Sequence, residues 1–132
     1  MSVRVIFNDI RGRTVNNLTG LIWTHVLIQL NGILYEATWP RVKKSYVIPE
    51  AETTEILEFE NSGININDML DFGEKNLGQR YMLRGYLFPK LYHKTRGVYC
   101  SEFACDMLVA GGFNLKAIDG YTPDTLYKAL LP

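Results

Sequence analysis

Long apolar runs, an excess of charge of one sign and clustered metal ligands are all missing from this 132-residue chain. No segment approaches the ~18 uninterrupted apolar residues that a membrane-spanning helix needs. The opening stretch MSVRVIFNDIRGR holds a short apolar run broken by Arg4, which is neither a signal-peptide core nor a span. The expectation is a cytoplasmic product with no membrane span. Fourteen basic residues cancel fourteen acidic ones, so the chain offers no broad electrostatic footprint to a phosphate backbone, and nucleic acid is a poor partner. Two cysteines and two histidines at scattered positions lack the paired spacing of a structural zinc site. No metal or organic cofactor is expected. Cys100 and Cys105, placed on one helix, point about 140° apart and should not bridge. Asn17-Leu18-Thr19 matches a glycosylation acceptor but is discounted without a secretory signal.

The chain does have the material for a core. Hydrophobic residues make up 47% of it, with two tryptophans, eight tyrosines and six phenylalanines. No repeat or low-complexity tract divides it, so residues 1–132 read as one domain. Val3–Phe7 is branched and apolar and predicts a strand, broken by Asn8 and Asp9. A short helix is read over 13–20. His25–Leu30 and Ile33–Thr38 are strand-like runs joined by Asn31-Gly32, a strong hairpin signal. Ser45–Ile48 and Thr54–Phe59 predict two more strands. Asn67 reads as the cap of a helix running to about Leu77 and stopped by Gly78. From Cys100 the apolar positions fall at i, i+3, i+4, i+7 and i+8, a one-sided helix ended by Gly111-Gly112. Thr122 caps a last helix with Pro123 at its first position. Strands and helices in separate parts of the chain predict an α+β fold, an antiparallel sheet packed against helices.

Two places could carry chemistry. Cys100 lies on the apolar stripe and in the first turn of its helix, where unpaired N–H groups and the helix dipole favour an anion. Thiols in such positions titrate below their ordinary ~8.5, most of all beside a protonated histidine. The same N–H groups can hold the oxyanion of a tetrahedral intermediate. Cys100 alone is equally well explained as a small buried hydrophobe. In the hairpin, a two-residue turn makes opposing residue numbers sum to 63, so His25 faces Thr38 and Leu27 faces Glu36. His25 and Glu36 are then diagonal neighbours on one face, ~7–8 Å apart at the backbone. A Glu36 carboxylate there accepts the Nδ1–H of His25 and leaves Nε2 to take a thiol proton. The plainer reading is a lone histidine at a strand start and a surface glutamate. His93, in LYHKTRG, reads as solvated loop, and Cys105 as structural. Arg41, Lys43 and Lys44, and separately Lys90, Lys94 and Arg96, read as solvated charge or as attractors for an anionic substrate. Trp23 and Trp39 flank the hairpin as core or cleft residues.

These residues bear a family resemblance. LTGLIWTHVLIQLNGILYEATWPRV resembles the histidine segment of permuted papain-like hydrolases, the YiiX-like relatives of the NlpC family. VYCSEFACDMLVAGG resembles their cysteine helix with its Cys-Ser-Glu start, LGQRYMLRGYLF the segment between, and YTPDTLYKAL the terminal helix. Together they cover about half the chain in the family's order. The resemblance implies a circularly permuted papain-like fold, with histidine before cysteine, Cys100 as nucleophile, His25 as base and Glu36 as the orienting third residue. Relatives often carry a Gly-Asp pair on the first strand, where this chain reads IFNDIRG. The second oxyanion donor is therefore open, and Ser101, Tyr99, Asn8 and Trp23 are the oxyanion or cleft candidates. The reaction implied is attack of a thiolate on a peptide, amide or ester carbonyl through an acyl-enzyme, with cell-wall peptide among the substrates relatives cleave. A phage-encoded protein would be virion-associated or delivered by lysis. The alternatives are a thiol acyltransferase or esterase, and a non-catalytic binding module on the same fold.

Overall fold

The computed structural model describes residues 2–9, 25–37, 41–48, 53–60, 63–79, 100–115 and 122–131. Among them are five strands, β1 (Val3–Asp9), β2 (His25–Leu30), β3 (Ile33–Ala37), β4 (Val42–Ser45) and β5 (Thr53–Phe59). Three helices follow, α1 (Ile66–Asn76), α2 (Cys100–Ala110) and α3 (Pro123–Leu130). The strands form one antiparallel sheet in the order β4-β3-β2-β1-β5. The fold class is α+β, as the sequence predicts.

The Asn31-Gly32 turn fixes the centre of this sheet. Both residues take positive φ, 50° and 81°, the conformation a two-residue type I′ hairpin demands and that Asn-Gly tolerates best. The resulting register pairs Leu30 with Ile33, Gln29 with Leu34 and Ile28 with Tyr35, the expected sum of 63. Alternation then divides the side chains between two faces. Val3, Val5 and Phe7 join Val26, Ile28, Leu30, Tyr35, Ala37 and Val42 in the main core with the helices. Ile6, Leu27 and Leu34 form a smaller cluster with Ile48 on the opposite parity. With both faces buried, a slip of one residue would exchange the two sets, so the register is strongly specified.

Three boundaries differ from expectation, the first two through a long-range partner. β1 runs on through Asn8 and Asp9, because it is a central strand and β5 pairs with it as far as Asp9↔Thr53. β4 forms at Val42–Ser45 rather than Ser45–Ile48. Val42 donates its N–H to the Gln79 carbonyl and accepts from Gly78, which ties this edge strand to the end of α1. The cap of α1 is Asn65 rather than Asn67, its side chain accepting from the Asp68 N–H at 3.1 Å. The helix read over 13–20 and the segment 80–97 lie outside the described residues. No helix among the described residues is long and apolar enough to cross a membrane.

α2 also departs from the one-sided helix its pattern suggests. Residues Cys100 through Cys105 are buried on every side, as are Met107 and Leu108. It lies against β2 and β3 and packs on both α1 and α3, so its polar Ser101 and Glu102 are covered along with its apolar stripe. Its end is a Schellman motif: Phe113 donates to the Leu108 carbonyl, Gly112 to that of Val109, and Gly112 takes a φ of 95°. α3 begins as expected, with Thr122 and Thr125 bonded reciprocally and Pro123 in the first turn.

α1 meets the sheet through a small residue. A Cβ on Gly73 would come within 2.7 Å of Tyr35 Cε1 and 2.8 Å of Met107 Cε. The missing side chain lets the Tyr35 ring lie against the helix and its hydroxyl donate to Glu74 Oε2 at 2.6 Å. Gly73→Ala should therefore destabilise the fold. The gain of about 1 kcal/mol in helix propensity is outweighed by overpacking of about 1–3 kcal/mol against a ring the core holds in place. Urea denaturation checks this, and a variant as stable as wild type would contradict the close approach.

Candidate active site

His25 is the first residue of β2 and Cys100 the first of α2, so the candidate pair meets where two elements begin. His25 lies opposite Asn8 in the β1–β2 ladder. Glu36 lies opposite Lys43 in the β3–β4 ladder. His25 and Glu36 share the parity of Leu27 and Leu34, and their side chains join at 2.6 Å, Nε2 to Oε2. The predicted diagonal contact is therefore present. The nitrogen engaged differs from expectation: it is Nε2, not Nδ1. Crossing a diagonal of ~7–8 Å takes the ring atom farthest from the backbone, and that leaves Nδ1 as the second site of the imidazole.

Cys100 supplies the other contact. Its thiol acts on the imidazole and favours the protonated ring, while the carboxylate holds Nε2. All three side chains are covered, with relative exposures of 0% for Cys100, 7% for His25 and 4% for Glu36. Burial alone pulls the imidazole towards its neutral form. Hydrogen bonds to Cys100 and Glu36, reinforced by the charges of both, outweigh burial and raise the pKa from 6.5 to about 9. His25 is thus an imidazolium at neutral pH.

The flanking residues act by orientation. Asn8 is fully buried, and its amide oxygen accepts a hydrogen bond from the Thr54 hydroxyl at 2.9 Å. That fixes the amide plane beside His25. Ser101 and Glu102 follow Cys100 in the first turn and are buried with it. Tyr99 and Trp23, the remaining candidates, lie outside the described residues, as do His93 and Trp39. Cys105 is buried in the same helix, and neither cysteine is in a disulfide. No cluster of three or more metal-ligating side chains occurs among the described residues. A groove of about 620 Å³ lined by Phe59, Ile64, Phe113 and Leu130 shares no residue with this site.

The basic triplet has specific partners instead of forming an open anion site. Arg41 donates to the Gly78 carbonyl at 3.0 Å. Lys44 holds Glu74 at 3.1 and 3.2 Å. Lys43 reaches Glu36, with Nζ 3.8 Å from Oε1. Sequence reasoning missed Lys43 as a neighbour of the site because it placed β4 three residues too late. It missed Thr54 because a partner for Asn8 on the far side of β1 leaves no local signal.

The raised His25 fixes a direction of pH dependence. A folded-state pKa above the unfolded value of ~6.5 contributes stability that is complete below pH ~6.5 and is lost as pH rises through about 9. The urea midpoint of wild type should fall across this window relative to His25→Gln, and a constant difference would refute the assignment. By NMR, His25 should titrate near 9, and Cys100→Ala should lower that midpoint, with His93→Gln used to assign the second imidazole. No protein family, curated protein or solved structure matches the chain.

Proposed function

We propose that the chain is a cysteine hydrolase of peptide or amide bonds, acting through Cys100, His25 and Glu36 on a circularly permuted papain-like fold. The observation that carries this reading is the 2.6 Å bond between the His25 imidazole and the Glu36 carboxylate, with Cys100, at the start of α2, acting on the same ring. Support comes also from the chain order, histidine before cysteine, and from the resemblance of the two segments that supply them.

In the proposed reaction the Cys100 proton already rests on the His25 imidazolium, and the thiolate of this pair attacks the carbonyl carbon. Backbone N–H groups in the first turn of α2 face the developing oxyanion. The imidazolium then gives its proton to the leaving amine as the C–N bond breaks, and a thioester remains. A water molecule, deprotonated by the same imidazole, attacks the thioester, releasing the acid and restoring the thiolate–imidazolium pair. Glu36 stays ionised throughout. It fixes the ring and balances the imidazolium charge, the part a carboxylate plays behind a catalytic histidine. An ester substrate, or an acceptor other than water, uses the same steps.

The complete cover over Cys100 favours a second reading, a binding module that retains the fold without turnover. Alkylation separates the two. Cys105 is a built-in control, buried to 4% in the same helix but away from its start. At about pH 7, iodoacetamide should label Cys100 about tenfold or more faster than Cys105, as read by peptide mass spectrometry, and His25→Ala should abolish the difference. Equal labelling of the two thiols in wild type would leave the binding module. Glu36→Gln should retain labelling but slow it, since the ring loses its counter-charge and not its position.

A further inference from the structure

The Glu36 carboxylate has two oxygens in two different settings. Oε2 meets His25 in the interior, and Oε1 faces Lys43, whose side chain is 60% exposed against 6% for Glu36. Direct opposition in the β3–β4 ladder holds Lys43 there. Its two basic neighbours are engaged elsewhere, Arg41 at the end of α1 and Lys44 on Glu74, so Lys43 alone of the three bears on the site. Resting on the Cys100–His25–Glu36 reading, we propose that Lys43 faces Glu36 from its solvent side and, by competing with His25 for the carboxylate's charge, sets how tightly His25 keeps its proton.

Two effects of Lys43 oppose each other, and the geometry decides between them. As a mere prop, Lys43 would strengthen the Glu36–His25 contact. As a competing cation, it weakens the hold of the carboxylate on the imidazolium. Glu36 is buried and already fixed by a 2.6 Å bond to His25, whereas Lys43 approaches only to 3.8 Å, outside hydrogen-bond range. The prop is redundant and the competition remains. Among the described residues, the titratable groups acting on His25 are Cys100 from α2 and Glu36 from β3. From β1 the facing residue is the uncharged Asn8. A change at Lys43 therefore reaches the ring through Glu36. Because the ammonium is exposed, its influence is open to salt, while the Cys100–His25–Glu36 contacts beneath it are not.

The test is an NMR titration of His25 in wild type, Lys43→Met and Lys43→Arg, at low salt and in about 1 M NaCl. Methionine keeps the length of the stem without charge. Lys43→Met should raise the His25 midpoint by about half a pH unit at low salt, the size of a screened unit charge at this range. Lys43→Arg should return it to the wild-type value. High salt should erase the gap between wild type and Lys43→Met by moving wild type upward. An unchanged or lowered midpoint in Lys43→Met, or a gap indifferent to salt, overturns the proposal. The titration needs no substrate and no reactive thiol, so it can fail while Cys100 alkylates as proposed, and it can succeed where Cys100 does not.

Discussion

The hydrogen bond between His25 and Glu36 is the constraint on which the rest of the arrangement depends. An imidazolium and a carboxylate taken out of water each cost several kcal/mol unless they meet in good geometry. At 2.6 Å, and both nearly fully buried, they meet that condition for each other. The bond also dictates the backbone. It spans β2 and β3 beyond the ladder that ends at Ile28↔Tyr35, so the register set at Asn31-Gly32 must persist to the far end of the hairpin. A slip of one residue would send Glu36 to the other face and strand both charges. The neighbouring strands reinforce this from either side, β1 with Asn8 opposite His25 and β4 with Lys43 opposite Glu36.

What was legible in the sequence is what is encoded within a few residues. Asn-Gly specifies its own turn, and the turn specifies the register, so the meeting of His25 with Glu36 followed from counting. The caps of α3 and the glycine end of α2 are local in the same sense. The parts that were not legible are decided by partners far along the chain. Val42 rather than Ser45 begins β4 because Gly78 and Gln79 bind its backbone. Asn8 stays in β1 because a strand lies on each side of it, and Asp9 because β5 pairs with it. The choice between Nδ1 and Nε2 depends on the reach of a side chain across a diagonal, which residue spacing does not encode.

Charge illustrates the same division. Arg41, Lys43 and Lys44 form a basic cluster in sequence and three separate contacts in space, with a helix-end carbonyl, a site carboxylate and an exposed glutamate. Strand alternation separates the two lysines, sending Lys43 to the side of Glu36 and Lys44 to the side of α1. Glu74, held by the Tyr35 hydroxyl and by Lys44, lies below the usual carboxylate range, and burial together with the Glu74 contact pushes the Tyr35 phenol up. A run of like charges thus becomes a set of ties between strand and helix.

The two cysteines differ in their place on the helix and not in burial. Both lie on α2, both are covered to within 4% of completely, and neither is disulfide-bonded. Cys105 stands more than a turn inside the helix, where every nearby N–H already serves the helix ladder. Cys100 stands at the start, where those groups are not used by the ladder, and where the first residue of β2 brings an imidazole to its thiol. The two features reinforce each other: the helix start favours an anion at the same atom that the imidazolium faces. Strand alternation alone would hold His25 on the parity opposite the main core that contains Cys100. The pair can meet because both residues are the first of their elements. The candidate site of this chain thus lies at a boundary of its sheet, and the fold needs an unbroken register up to that boundary to keep it there.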